Sequence, residues 1–133
     1  MTPVFCHEFI IPASAIDVNG HVNNVMYVQW MQDAAMAHSN SVGDTVAYQK
    51  ELGVMWVAKS HHIEYLRQAF EKDTLIIETW AESFRRTNST REYRFYKKSD
   101  RMLLAKATTM WVYLNKETGR PAAISETVKA LYM

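Results

Sequence analysis

The chain has 133 residues and a mass of 15.4 kDa, which fits one domain of ordinary size, so we expect a single domain over residues 1–133. Hydrophobic residues make up 48% and charged residues 22%, a composition that excludes disordered and collagen-like chains. The net charge of +1 gives no overall positive field for nucleic-acid phosphates, so we expect a small substrate and no nucleic acid.

The amino terminus and the cysteine content bear on location. The segment 1–4 lacks the basic residues and long apolar stretch of a secretory signal. Cys6 is the only cysteine, so no intramolecular disulfide can form. The most apolar stretch, 103–114, is shorter than the roughly 20 residues that span a bilayer. We therefore expect a cytoplasmic protein with no membrane span.

The first predicted element is a strand over residues 4–11. Phe5 and Phe9 alternate there with Cys6 and Glu8, as in a half-buried strand.

A long helix is predicted from Asn23 to about Asn40, because this segment lacks proline and glycine and its hydrophobic residues are too dense for alternation. Its polar residues form one narrow stripe at helical spacing, which predicts a largely buried helix: Gln29, Gln32, Asp33 and Asn40. Gly43 is expected to end this helix. Asp44 is expected to cap a short second helix that runs to Leu52 and ends at Gly53.

After Gly53 the chain becomes rich in β-branched and aromatic residues, which predicts four strands, at 55–66, 74–86, 90–98 and 102–114. In the predicted strand at 90–98, Tyr93 and Phe95 should face one side of the sheet and the residues next to them in sequence should face the other. Turns are predicted at 99–100 and 115–119, and a last short helix is predicted after Ser125, its cap. The clues favour an α+β fold, in which one curled antiparallel sheet of about five strands wraps around one long central helix.

The densest polar segment, residues 17–24, lies between the first strand and the long helix. A helix N-terminus carries unpaired N–H groups and a partial positive charge, so it can hold a carbonyl oxygen that becomes an oxyanion during acyl transfer. Asp17 could activate water or attack directly, His21 could orient groups or relay protons, and Asn19 could hydrogen-bond the carbonyl or the water. These residue types also make up ordinary turns, so the loop alone leaves both interpretations open.

A resemblance to a known family is carried by residues 17–24, which read Asp-Val-Asn-Gly-His-Val-Asn-Asn, and by Tyr27 ten residues after Asp17. This run resembles the signature of hot-dog-fold acyl thioesterases, the 4-hydroxybenzoyl-CoA thioesterase-like superfamily and the related plant acyl-ACP thioesterases. Further segments resemble strands and turns of that family: 63–65, 73–75, 103–107, 111–112 and 118–121. The order of strand, helix and meander is also the hot-dog order.

The resemblance implies an acyl-CoA thioesterase that hydrolyses an acyl thioester to free acid and CoA. The family's catalytic acid falls on Asp17, as nucleophile or general base. Asn19 and His21 fall on the Asn and His of the plant-type pattern, and Asn24 and Tyr27 complete the candidate catalytic set at the start of the helix. No metal or redox cofactor is implied. The family pattern implies a homodimer or homotetramer, with each active site built from two subunits.

Two departures from the family pattern leave alternatives open. Asn24 stands where the bacterial acyl-CoA branch often has His, and Gln68 stands where the plant enzymes have an acid. The identity of the catalytic acid is therefore better supported than the rest of the machinery. The sequence also leaves open whether the substrate carrier is CoA or acyl carrier protein. A non-catalytic acyl-CoA or lipid-binding module on the same fold is a second alternative, because fold does not fix function. A hot-dog dehydratase fits less well, because the loop resembles that of thioesterases.

A basic, hydroxyl-rich turn at 85–91 is suited to binding the phosphates of coenzyme A. We expect Arg85 and Arg86 to make these contacts, with help from Lys59 and Ser60. The alternative is a solvated hairpin.

Several residues are interpreted as structural rather than functional. His61 and His62 are neighbours on a predicted strand, so they point to opposite faces and do not form a metal site. Cys6 is expected to be a small buried residue rather than a nucleophile. Bulky residues that could line an acyl pocket are assigned for the most part to core packing: Trp30, Met31, Met36, Met55 and Trp56.

Overall fold

The computed structural model describes residues 2–133. In chain order the elements are β1 (Phe5–Ile10), α1 (Asn24–Val42), α2 (Val46–Leu52), β2 (Val54–Tyr65), β3 (Thr74–Phe84), β4 (Asn88–Lys97), β5 (Met102–Asn115) and α3 (Glu126–Leu131). A short 3-10 helix at Ala13–Ala15 follows β1. The predicted strands and helices are confirmed, and their ends differ from the prediction by at most two residues.

The strands form one antiparallel sheet in the order β1-β3-β4-β5-β2. Strands β3, β4 and β5 are a meander, while β2 pairs with the far side of β5 and β1 pairs with the far side of β3. The outer edges of the sheet are therefore β1 and β2. This arrangement confirms the predicted α+β architecture of a sheet around one long helix.

The core lies between α1 and the inner face of the sheet. On β4, Tyr93 and Phe95 are fully buried while the residues next to them in sequence, Glu92, Arg94 and Tyr96, are partly exposed, as predicted from alternation. Tyr93 and Phe95 pack with buried residues of α1 and of neighbouring strands: Tyr27, Trp30, Met31, Ala34, Leu75, Ile77 and Leu104.

Helix α1 begins and ends where the sequence predicts. The side chain of Asn23 accepts the N–H of Val25 over 3.1 Å as N-cap, and Gly43 ends the helix in the left-handed region, with φ +94°. Its exposed face is wider than predicted, since Val25 and Met36 are 71% and 57% exposed. The reason is that a single sheet covers only one side of a helix.

Two predictions about single residues are wrong. Asp44 does not cap α2; Thr45 does, and its Oγ1 accepts the N–H of Tyr48 over 3.1 Å. Asp44 is instead fully buried, and its carboxylate accepts hydrogen bonds from Trp56 Nε1 and the Tyr132 hydroxyl. Cys6 is exposed rather than buried, because the alternation that turns its neighbours on β1 inward turns Cys6 outward.

Within residues 2–133, no helix has the length and apolar character needed to cross a membrane.

Candidate active site

The loop at residues 17–21 is a tight turn fixed by its own backbone. The N–H of Asp17 donates to the His21 carbonyl over 2.8 Å, and the N–H of Gly20 donates to the Asp17 carbonyl over 3.1 Å. Gly20 has φ +80°, a conformation that residues with a β-carbon rarely adopt. The loop is then tied to the body by the N–H of Val22, which donates to the Ala69 carbonyl over 3.1 Å.

The Asp17 carboxylate is held by the same turn. Its Oδ1 accepts the backbone N–H groups of Asn19 over 2.9 Å and of His21 over 3.3 Å. Both bonds end on Oδ1, so Oδ2 is left for water or a ligand. Asp17 is half-buried, which keeps the carboxylate reachable while its orientation is fixed.

The carboxylate lies in the wall of a cavity of about 370 Å³, which we name the loop cavity. One side is formed by the loop and the first turn of α1, and the other by the segment that follows β2. The wall residues are Asp17, His21, Val22, Asn24, Tyr27, Tyr65, Leu66, Arg67, Gln68 and Ala69. Four of the five predicted catalytic residues thus share one cavity; the fifth, Asn19, contributes its N–H to Asp17 but is not a wall residue.

The first turn of α1 borders this cavity, and one of its backbone N–H groups is free within residues 2–133. The N–H of Val25 is used by the Asn23 side chain, and the N–H of Met26 donates to the Asn23 carbonyl over 2.9 Å. The N–H of Asn24 has no acceptor within the part of the chain that the structure describes. A free N–H at the positive end of a helix can bind a carbonyl oxygen.

Tyr27 places a phenol group in the same wall. It is 3% exposed, and the rings of Trp30, Tyr65 and Phe95 pack edge-on to its own ring at 5.1 to 5.6 Å. Burial, with a smaller contribution from Tyr65, raises the pKa of Tyr27 to about 12. The hydroxyl is therefore protonated at neutral pH and can donate a hydrogen bond.

The sequence of this chain matches a family model over residues 11–131, and that model describes the thioesterase-like superfamily. The chain belongs to the thioesterase-like superfamily. The resemblance stated from the loop motif is thereby confirmed.

Among curated relatives, the chain is 26% identical over 132 residues to the chloroplastic oleoyl-acyl carrier protein thioesterase of Coriandrum sativum. That match covers 95% of this chain and 36% of the relative. The chain thus spans about a third of the length of the curated relatives it matches.

Solved structures of similar fold confirm the predicted hot-dog fold. The crystal structure of a putative oleoyl thioesterase from Lactobacillus plantarum superposes with a TM-score of 0.93 at 21% identity, covering 98% of this chain and 50% of the other. A Staphylococcus aureus protein solved in complex with CoA superposes with a TM-score of 0.91 at 18% identity, covering 98% and 82%.

Three polar wall residues of this superfamily member were not among the predicted site residues: Tyr65, Arg67 and Gln68. They lie more than forty positions from Asp17 in sequence. They reach the loop because β2 pairs with β5 and because the N–H groups of Leu66 and Arg67 both donate to the Leu104 carbonyl. No local motif identifies these three residues as part of the site, although Gln68 is one of the two departures from the family pattern.

The residues predicted to bind coenzyme A lie outside the loop cavity. Lys59 and Ser60 are exposed at the middle of β2, at an irregularity in its pairing with β5. Arg85 and Arg86 lie in the turn between β3 and β4. Strand β4 begins at that turn with Asn88, and its residue Phe95 packs on Tyr27. These two residues are seven positions apart, roughly 23 Å along a strand. Within one protomer, the two arginines therefore lie far from the cavity that contains Asp17.

The histidine pair on β2 is split between two environments. His61 Nδ1 shares a hydrogen bond of 2.8 Å with Thr109 Oγ1, while His62 is exposed and lies 3.8 Å from Glu64. Among residues 2–133, no three or more His, Cys, Asp or Glu side chains are grouped to hold a metal ion.

Proposed function

We propose that this chain hydrolyses an acyl thioester to a free acid and a thiol. The observation that carries the proposal is that Asp17 and Asn24, the residue with the free N–H, line one cavity in a member of the thioesterase-like superfamily. The name of the coriander relative, an oleoyl-acyl carrier protein thioesterase, supports the same reaction.

In the proposed reaction the thioester carbonyl accepts the N–H of Asn24. The positive end of α1 stabilises the negative charge that develops on this oxygen in the tetrahedral intermediate. Asp17, acting as general base, takes a proton from water through Oδ2 while the water oxygen bonds to the carbonyl carbon. The C–S bond then breaks, and the thiolate leaves and takes up a proton.

Direct attack by Asp17 is the second route for the same residue. Its carboxylate would form a mixed anhydride and release the thiolate, and water would then hydrolyse the anhydride and restore Asp17. Both routes need the charged carboxylate in a fixed position. The backbone N–H groups of Asn19 and His21 supply that position, and the neutral Tyr27 hydroxyl is a donor for the carbonyl or the sulfur.

The test is thiol release from acyl-CoA and acyl-ACP panels that span short, long and aromatic acyl groups. Asp17→Asn keeps an oxygen that can accept the N–H groups of the loop, so the fold is expected to be unchanged. We expect kcat/KM to fall at least about a hundredfold, since a positioned base or nucleophile is lost. Asp33→Asn, on the exposed face of α1, is the matched control and should keep wild-type activity.

Near-normal activity of Asp17→Asn with an unchanged melting temperature would contradict the assignment. CoA binding without thiol release from any ester would favour the non-catalytic binding module. The CoA complex of the Staphylococcus aureus protein supports acyl-CoA as the first substrate to assay, and preferential turnover of acyl-ACP would favour the other carrier.

Two sets of residues are candidates for binding the phosphates of the substrate carrier. Arg67 is the one arginine or lysine in the wall of the loop cavity as the structure describes it. The expected contacts of Lys59, Ser60, Arg85 and Arg86 stay predictions; the second subunit of an oligomer would have to bring them to the site.

We also propose a homodimer, with a homotetramer as a further assembly. Strand β2 presents an outer edge of 12 residues, Val54–Tyr65, and an open edge of this length needs cover. If two copies pair antiparallel about Lys59 and Ser60, the Tyr65 end of one lies beside the Val54 end of the other. The loop cavity of each copy then borders the second copy. The single domain and the cytoplasmic location stay predictions.

A further inference from the structure

A second cavity, of about 430 Å³, lies between the middle of α1 and the inner face of the sheet; we name it the inner cavity. It shares no wall residue with the loop cavity. Much of its wall is apolar or aromatic, including Ala35, Met36, Trp56, Phe84 and Trp111. The protein therefore holds a mainly apolar space that the catalytic proposal does not use.

The floor of the inner cavity carries a positive charge. Arg91 is 6% exposed and extends from the inner face of β4. Its Nη1 donates to His38 Nδ1 over 2.9 Å and to Thr79 Oγ1 over 3.1 Å. Within the described chain, every carboxylate oxygen lies more than 4 Å from its nitrogens. Burial lowers the pKa of this guanidinium, and interactions with Tyr93, Tyr132 and Asp44 offset part of that effect.

The donors at this floor outnumber the acceptors. A guanidinium has five N–H groups, and the two bonds of Arg91 both use Nη1. Trp111 Nε1 is buried against the Tyr93 hydroxyl, a contact that acts to lower the pKa of Tyr93 while burial raises it more. Trp111 therefore presents its ring, and no free donor, to the cavity. Asp44 Oδ1 is buried without a partner among residues 2–133, but Asp44 does not belong to this wall. Since a guanidinium can only donate, the partner that Arg91 lacks is an acceptor.

The mouth of the inner cavity lies near the proposed dimer contact. Its exposed wall residues include Gln32, Met36 and Val46, and Trp56 and Val57 come from the first part of β2. Antiparallel pairing of two β2 edges would place that part of β2 beside the loop cavity of the second copy. An acyl group attached at one active site could then extend into the inner cavity of the neighbouring subunit.

We propose that the inner cavity binds the far end of the acyl group, and that Arg91 selects an acyl group with an oxygen acceptor there, a terminal carboxylate or hydroxyl. This inference rests on the proposed thioester hydrolysis. The apolar wall accommodates the methylene chain. A plain methyl end leaves the buried donors unpaired, and sites built for a polar group discriminate strongly against an analogue that lacks it.

The experiment compares CoA esters that match in chain length and differ at the far end: octanoyl, omega-hydroxyoctanoyl and suberoyl, with shorter and longer sets of the same design. We expect at least one oxygenated ester to exceed the methyl-ended ester in kcat/KM by about tenfold at the favoured length, as for one hydrogen bond to a charged group. A faster suberoyl ester identifies a carboxylate as the acceptor, and a faster hydroxyl ester identifies a hydroxyl.

Arg91→Met tests the source of this preference. The variant should abolish the preference for the oxygenated ester while keeping turnover of the methyl-ended ester. Arg94→Met is the matched control, because Arg94 lies on the same strand and faces the other side of the sheet; it should keep the preference. If Arg91→Met fails to fold, Arg91→Lys keeps the positive charge and a donor but loses the planar fork of donors, and it should weaken the preference.

Two results would overturn the inference: methyl-ended esters preferred at every length, or variants of Arg91 that lower turnover of all esters equally. Calorimetric binding of free suberate, omega-hydroxyoctanoate and octanoate separates this inference from the proposed function. Suppose that no ester is hydrolysed but an oxygenated acid binds, and that Arg91→Met abolishes this binding. The proposed hydrolysis is then contradicted, while the proposed acceptor site in the inner cavity is supported. If esters are hydrolysed with dependence on Asp17 but without end preference, the inner site alone fails.

Discussion

His38 and Arg91 join α1 to β4 through a buried hydrogen bond, in which Arg91 Nη1 donates to His38 Nδ1. An accepting Nδ1 requires a neutral ring with its proton on Nε2. Burial, and then the positive charge of Arg91, lowers the pKa of His38 to about 4. The rings of Phe5 and Tyr132 pack against the imidazole at 5.0 and 5.4 Å and keep water away. The histidine is thus an acceptor for a buried cation and stays neutral in the folded protein.

This pKa predicts a pH dependence of stability. Between about pH 6.5 and about pH 4 the unfolded chain protonates His38 while the folded protein does not. The free energy of unfolding therefore rises with pH across this window, and stability is lost as the pH falls through it. In urea unfolding at several pH values, His38→Gln should show a shallower loss than wild type.

The control for this measurement is His62→Gln, because His62 is exposed on β2. It should reproduce the wild-type dependence. Equal slopes for wild type and His38→Gln would show that His38 titrates normally in the folded state.

At the scale of elements, α3 shows how a helix of six residues is held in place. A helix this short is not stable alone. Ser125 Oγ accepts the N–H of Val128 over 3.1 Å at its start, and Val128 is fully buried. The Tyr132 hydroxyl, just after the helix, donates to the buried Asp44 carboxylate. The cap and these two contacts fix α3 against the body.

Removal of the cap should have a measurable cost. We expect Ser125→Ala to lower the free energy of unfolding by about 1 kcal/mol, because the N–H of Val128 loses its acceptor. Ser99→Ala, in the exposed turn between β4 and β5, is the matched control and should change stability very little. Chemical denaturation of both variants gives the comparison; equal stability would mean that water replaces the cap without cost.

At the scale of the whole molecule, the open edge of β2 determines the expected assembly. Two copies paired about Lys59 and Ser60 would bring both pairs of these residues together. Ser60→Lys would then place four lysines in one contact, and like charges at an interface cost several kcal/mol. We expect this variant to be a monomer by light scattering and to lose the proposed thioester hydrolysis.

Ser99→Lys adds the same charge at an exposed turn away from this edge and should leave the assembly unchanged. A wild-type protein that is monomeric and fully active would contradict the proposed dimer and the active site shared between subunits.

The sequence alone determined much of the architecture, because those features follow from short-range rules. Alternation placed Tyr93 and Phe95 on the inner face of β4, and the dense hydrophobic run that starts after Asn23 and stops at Gly43 predicted α1. The loop motif around Asp17 was also local, since its turn is closed by its own backbone.

Only the tertiary structure decided which distant groups meet. Gln68 joins the wall that contains Asp17 through the pairing of β2 with β5 and the bonds to Leu104, which no local pattern encodes. The prediction that Asp44 caps α2 is wrong for the same reason, because its partner Tyr132 lies 88 positions away. Arg91 looked like one more charge in a basic turn, and only the packing of α1 on the sheet places it at the floor of a cavity. Contacts between distant positions depend on strand register and helix packing, which the whole chain sets together.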